Sequence, residues 1–271
     1  MIKSAVTICL VPSLAGGPWI YWDKLDISIP KARETGFDGI ELFTASADAV
    51  DSKYLADLLA ENDMKLSAMG SGAGRVLHQL HLTHPEADVR LKAQEFIKRM
   101  IDFSAPLGAP VIIGSMQGEL YNKKDPQESY AWLAEGLRTC AEHARTYQVK
   151  LIYESLNRYE TNIFNRLGDA VSFINNYELD NVVLLADLFH MNIEEASIPA
   201  AIRDYKDHIG YVHFADSNRR PIGLGHTDME DIARALIDVG YDGFVSAEAF
   251  AYPDSDKAAQ QTIHSFRQYF R

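Results

Sequence analysis

Eight short apolar runs recur along the chain, each followed by a longer stretch of helical period. The runs are Val6–Val11, Gly39–Phe43, Lys65–Gly70, Pro110–Gly114, Lys150–Glu154, Val182–Asp187, Gly210–Phe214 and Gly243–Glu248. They are rich in Val, Ile, Leu and aromatic residues and nearly continuous in their apolarity, as parallel strands buried on both faces are. The intervening stretches predict helices over Trp22–Thr35, Ser52–Asn62, Glu86–Leu107, Gln127–Tyr147, Leu167–Asn176, Glu194–Tyr205, Asp228–Val239 and Ser255–Phe270. Within Gln127–Tyr147, Leu133, Leu137, Cys140 and Ala144 fall three or four residues apart and share one helical face. In ETGFDGIEL and VGYDGFVSAE a glycine closes a helix and a polar turn leads into a strand.

Eight strand–helix units predict an α/β fold, a (β/α)8 TIM barrel occupying residues 1–271 as a single domain, since this fold typically takes about 250 residues. The competitor is an open doubly wound sheet, which would place a GxGxxG turn after the first strand. Gly16–Gly17 and Gly70–Gly74 lack that spacing. The opening MIKSAVTICLVPSLAGG has the outline of a signal peptide, but Ala5 to Val11 is needed as the first strand and is read as one.

Charge narrows the function classes. Lys and Arg number 26 against 38 Asp and Glu, a net charge of −12. A phosphate backbone is repelled by such a balance, and no basic run offsets it, so nucleic acid is set aside as a partner. No apolar stretch approaches the ~20 residues of a membrane span. The two cysteines, Cys9 and Cys140, have no metal-type spacing and fit a reduced, cytoplasmic setting.

In a barrel of this kind the active site lies at the C-terminal ends of the strands. Strand two offers Glu41 there, strand five Glu154, strand six Asp187, strand seven His213 and strand eight Glu248. Buried acids of this sort need a partner or a metal. A single strand-end acid is more often a cap or an ion-pair partner. Four on consecutive strands facing one mouth predict a site for one divalent ion, held by Glu154, Asp187, His213 and Glu248. Carboxylates with one imidazole suit manganese first, then cobalt, magnesium or zinc. Glu41 has no such support and is read as a structural or supporting acid. Glu160 lies six residues past Glu154 and can turn back over the site. His190 lies one helical turn past Asp187, and Arg219 supplies a planar donor fork for hydroxyl or carboxylate oxygens. The other histidines are read mostly as surface or capping residues, with His84 and His226 as two further candidates for the site.

The segments ESLNRYE, ADLFHMNIEE, VHFADSNRRPIGLGHTD and AEAF, together with SAMGSGAG, LHLTHPEADVR and PVIIG, are similar to those of the ketose 3-epimerases, the D-tagatose, D-allulose and keto-gluconate epimerase group of the xylose-isomerase-like barrels. The similarity extends over nearly all of the chain from about residue 36. It implies a divalent metal, with Mn2+ first, on Glu154, Asp187, His213 and Glu248. It implies that Glu154 and Glu248 are also the catalytic acid/base pair, and that Glu160, His190 and Arg219 contact the substrate. It further implies a small-molecule sugar as partner and a homo-oligomer, dimer or tetramer. Two departures stand out. Strand one ends ICLVPS and strand four ends IIGSMQG, without the aromatic residues that many hexulose epimerases place there. SAMGSGAG, LTHP and NRYET are closer to the keto-gluconate epimerase.

The chemistry expected is inversion at C3 of an unphosphorylated ketose or keto-sugar acid. Two carboxylates on opposite faces of a planar enediolate can remove a proton from one side and return one on the other, with no redox cofactor. The metal stabilises the enediolate oxygen. An aldose–ketose isomerase or sugar-acid dehydratase on the same scaffold is the alternative. A DNA-repair endonuclease is more remote, because it would carry a DxH pair where this chain has GLGHTD. A non-catalytic sugar-binding barrel is the third alternative. A sugar phosphate is disfavoured for want of a phosphate-cradling helix start.

Overall fold

A computed structural model of the chain describes residues 1–122 and 124–271. Eight strands form a closed barrel in sequence order: β1 (Lys3–Cys9), β2 (Gly39–Phe43), β3 (Lys65–Gly70), β4 (Val111–Ile113), β5 (Leu151–Glu154), β6 (Val182–Asp187), β7 (Ile209–His213) and β8 (Phe244–Ala247). Neighbouring strands pair in parallel, and β1 closes the ring on β8 through Lys3 with Phe244 to Val6 with Ala247. The stretch with the outline of a signal peptide is thus a strand hydrogen-bonded on both sides.

Side chains sort by the two-residue period of a strand. Ala68, Ile112, Ile152, Leu185 and Tyr211 pack inside the barrel. Their chain neighbours, such as Leu151 and Tyr153 or Leu184 and Ala186, turn outward into the larger core under the helices. Both faces are therefore dry, which is why the strands read as unbroken apolar runs. Each large aliphatic side chain so buried contributes about 1.5–3 kcal/mol.

The helices are α1 (Leu25–Thr35), α2 (Ser52–Glu61), α3 (Ala73–His78), α4 (Ala87–Ser104), α5 (Gln127–Thr146), α6 (Leu167–Asn176), α7 (Leu188–Glu194), α8 (Ile198–Asp204), α9 (Met229–Asp238) and α10 (Ser255–Phe270). Leu133, Leu137, Cys140 and Ala144 of α5 are buried, as their spacing predicts. Among the described residues ten α-helices stand where eight are expected, because α3 and α7 span only six and seven residues. Helices of under two turns leave too little periodicity to register in a sequence. The helix expected over Glu194–Tyr205 begins only at Ile198, where Ser197 caps it and Pro199 occupies the first turn. The first strand also stops short of its expected end. Val11 leaves the sheet and packs with Trp19, Phe43 and Ala73 at the barrel mouth, so the apolar run continues past the strand.

Candidate active site

Glu154, Asp187 and His213 are the last residues of β5, β6 and β7, and Glu248 follows β8 directly. Asp187 and His213 are register partners on adjacent strands. One ligand-type atom from each of the four residues lies within 4.8 Å of all the others. His213 Nδ1 is 3.1 Å from Asp187 Oδ2, 3.3 Å from Glu154 Oε1 and 3.8 Å from Glu248 Oε2. Asp187 has a second task. Its Oδ1 accepts the backbone N–H of His190 and so caps α7, which turns the chain back toward the site.

Glu41 stands behind this group rather than in it. His213 Nε2 lies 3.2 Å from both Glu41 oxygens, and the Tyr211 hydroxyl donates to Glu41 Oε2 at 3.1 Å. With a metal ion bound, an Nε2–H directed at Glu41 would turn the Nδ1 lone pair to the ion, the arrangement in which an outer carboxylate orients a ligating histidine.

Electrostatics match a cation at the centre. Burial pushes the Glu248 carboxyl up to about 7; Arg219 and His213 oppose this, while Glu154 and Asp187 add repulsion. Burial lowers His213, but the Glu41 and Glu248 charges, the contact with Asp187 and the nearby Glu154 carboxylate outweigh it and hold the imidazole well above its ordinary range. Burial likewise opposes the ionisation of Asp187, but His190, His213 and Arg219 hold its carboxyl below the usual carboxylate range. Glu154 Oε1 and His190 Nε2 are buried without a hydrogen-bond partner. Three carboxylates, one imidazole and an orphaned carboxylate oxygen fit a divalent ion with oxygen and nitrogen preference.

The three expected substrate contacts come together beside this group. Arg219 Nη2 donates to Glu248 Oε2 at 2.6 Å and Nη1 to Glu160 Oε1 at 3.2 Å. Its guanidinium sits 5.0 Å from the centre of the Phe189 ring. His190 Nε2 faces Glu154 Oε1 at 4.0 Å and Asp187 Oδ2 at 3.9 Å. Arg219 is reached through a strained backbone, with φ at +58°. Its N–H donates to Asp216 O and its carbonyl accepts from Phe250 N–H. The Asp216 carboxylate takes the backbone N–H groups of Ser217, Gly223, Gly225 and Thr227 and so organises this whole loop. Sequence reasoning assigned Asp216 no role, although an aspartate ahead of a glycine-rich loop was a readable signal.

The opposite wall is shaped rather than charged. Trp19, Phe43, Ile112 and Leu156 line a cavity of about 210 Å³ whose other side is Glu154, His213, Arg219 and Glu248. Trp19 and Phe43 pack with ring centres 4.6 Å apart. Aromatic residues missing from the ends of strands one and four are thus supplied by the loop after β1 and by the end of β2. A Cβ at Gly114 would collide with Glu154 Oε2, so this glycine makes the room in which Glu154 sits. Arg219 is the only Lys or Arg lining the cavity among the described residues, and it is already paired.

His84 and His226 do not join the site. His84 Nδ1 accepts the N–H of Glu86 at the approach to α4, and His226 lies exposed on the Asp216 loop. His81, read as a surface or capping residue, is fully buried; its imidazole is pushed down to about 3 by burial and contacts Thr83 and Tyr121. Its polar atoms find partners at Thr83 in its own loop and at Tyr121 in the loop between β4 and α5, which spacing alone did not show.

The xylose isomerase-like TIM barrel family model matches residues 29–269. D-psicose 3-epimerase of Agrobacterium fabrum is 31% identical over 242 residues, 85% of this chain and 82% of that protein. L-ribulose 3-epimerase of Mesorhizobium japonicum is 30% identical over 234 residues, 84% of this chain and 76% of that protein. The solved D-allulose 3-epimerase from Methylomonas sp. superposes with a TM-score of 0.83 over 99% of this chain and 98% of that one, at 22% identity.

Proposed function

Since the chain belongs to the xylose isomerase-like TIM barrel family and groups there with the ketose 3-epimerases, we propose that it inverts C3 of a neutral, unphosphorylated ketose through an enediolate. The observation that carries this reading is the convergence of Glu154 and Glu248 on one point from strands separated by β6 and β7.

Glu154, Asp187, His213 and Glu248 would hold a divalent ion, which when bound would supply the polarisation of the ketone that makes the neighbouring C–H acidic. The donor set favours manganese, with cobalt or magnesium as substitutes. One of the two glutamates takes the C3 proton and the other returns a proton to the opposite face. Arg219 steers Glu248 through its 2.6 Å hydrogen bond and, with Glu160, forms the polar side of the pocket. His190 Nε2, buried and unpartnered, supplies a donor for a substrate oxygen. Trp19 and Phe43 cover the apolar C–H side of the sugar.

The pocket favours a neutral ketose over a keto-acid. Glu41, Glu154, Glu160 and Glu248 all line it, and a substrate carboxylate would meet no free cation among the described residues. A multi-zinc repair site is not supported either, because the four-residue group is the one ligand cluster among those residues. No helix among them is long and apolar enough to cross a membrane. Cys9 and Cys140 are unpaired, and burial pushes their thiols up to about 11 and about 12. This fits a cytoplasmic setting.

The test is a panel of ketohexoses, ketopentoses and keto-hexonates with added Mn(II) in heavy water, following product stereochemistry. C3 epimers of neutral ketoses carrying deuterium at C3 are expected. Aldose products alone, or no turnover of any ketose, would overturn the proposal.

A further inference from the structure

Asn157 lies in the loop after β5, 2% exposed and between two of the residues placed against the substrate. All of its polar groups are engaged. Its Oδ1 accepts the backbone N–H of Tyr159 at 2.9 Å, and its own carbonyl accepts the N–H groups of Glu160 and Thr161. With Oδ1 so occupied, the amide nitrogen faces the other way. Nδ2 lies 2.7 Å from His190 Nδ1 and donates to Glu160 Oε1 at 3.2 Å. The backbone N–H of Asn157 also donates to His190 Nδ1, at 3.3 Å.

A backbone N–H can only donate, so His190 Nδ1 is an acceptor and carries no proton. The proton of the neutral ring is then on Nε2, the nitrogen that is buried, unpartnered and turned toward Glu154 and Asp187. The second amide hydrogen of Asn157 anchors the oxygen of Glu160 that also receives Arg219. We propose that Asn157 is a positioning residue that sets the tautomer of His190 and the orientation of Glu160 together, and so presents an N–H donor and a carboxylate to the same sugar. What those two groups do for the substrate rests on the function proposed above; the hydrogen-bond assignment does not.

A purely local turn role predicts something different. The turn at Tyr159 needs only Oδ1, which an aspartate also provides. The two contacts that matter need an NH2 group, which aspartate lacks. Asn157→Asp therefore keeps the turn and the shape and removes both side-chain donors, leaving His190 Nδ1 only the longer 3.3 Å contact from the backbone N–H. Its carboxylate, placed where the amide lay 2.7 Å from Nδ1, carries a charge that outweighs the retained backbone N–H at 3.3 Å, draws a proton onto Nδ1, and repels Glu160.

The experiment is nitrogen NMR of 15N-histidine-labelled, Mg2+-loaded protein, parent and Asn157→Asp, alongside ketose kinetics and metal titration. In the parent, His190 should show an unprotonated Nδ1 and a protonated Nε2. In the variant, Nδ1 should become protonated, kcat/KM should fall about 10- to 100-fold as for loss of hydrogen bonds to a charged site, and Mg2+ affinity should stay within about threefold. A protonated Nδ1 in the parent overturns the assignment before any variant is made. An unprotonated Nδ1 in Asn157→Asp, or kcat/KM within twofold of the parent, overturns the positioning role. If the parent turns over no ketose while the tautomer and its switch are observed, the hydrogen-bond role stands and the reaction assignment alone fails.

Discussion

From β5 to β8 the strands end in Glu154, Asp187 and His213, with Glu248 one residue on, whereas β1 to β4 end in or beside Cys9, Phe43, Gly70 and Gly114. The backbone repeats around the ring, but one half of the mouth carries charge and the other carries shape. The charged half converges on a point, with three of its four side chains held by a second residue: Asp187 by the His190 N–H, His213 by Glu41, Glu248 by Arg219. Apart from Glu41 behind His213, the shaped half is glycine, serine, aliphatic and aromatic surface. It leaves the space of the cavity and, in the function proposed above, covers a sugar face.

The sharpest test of this division is in the charged half. Glu154→Gln and Glu248→Gln each keep an oxygen but cannot accept a proton, and each is expected to lose about 10²- to 10⁴-fold in epimerisation. Product assays with Mn(II) bound would check it, and a variant that epimerises at the parent rate removes that glutamate from the acid/base pair.

Next comes a test of whether the two halves are independent. Gly114 belongs to the shaped half, yet an added Cβ would strike Glu154 Oε2. Gly114→Ala is expected to lower kcat about 100-fold by displacing that carboxylate, with folding retained by circular dichroism. An unchanged kcat would mean that the wall does not seat the ligand.

A smaller effect is expected behind the site. Glu41→Gln weakens the acceptor for His213 Nε2–H, so Mn(II) should bind about tenfold more weakly by calorimetric titration. Equal affinity would reduce Glu41 to a buried acid satisfied by Tyr211. Smallest of all is Trp19→Phe, which trims the aromatic cover without emptying it. A rise in KM of about threefold with kcat kept is expected from steady-state kinetics, the mark of uniform binding lost. A fall in kcat instead would place Trp19 with the charged half.

Much of the charged half is legible before any fold is known, and little of the shaped half is. Glu154, Asp187 and Glu248 each terminate an apolar run and His213 stands one residue from the end of another, where such a residue has no business unless something binds it. Trp19, Gly114 and Asp216 carry no such mark. An aromatic residue in a loop, a glycine after a strand and an aspartate in a turn each have common local explanations. Their roles appear only when Phe43, Glu154 or the N–H groups of the loop arrive beside them.

What the sequence determined by itself was therefore the periodic part: eight buried strands, the alternation with helices, and the row of ligand-type residues at the strand ends. Those follow from burial and from a two-residue repeat, which are local in the chain. Tertiary structure alone decided the pairings. Glu41 and His213 are 172 residues apart in sequence, and Asn157 and His190 are 33 apart, yet each pair meets at hydrogen-bond distance. Closing the barrel brings β2 across from β7 and lays the loop after β5 on α7. A hydrogen bond needs its donor and acceptor within about 3 Å, and no spacing rule along the chain supplies a distance of that kind between strands that do not follow one another.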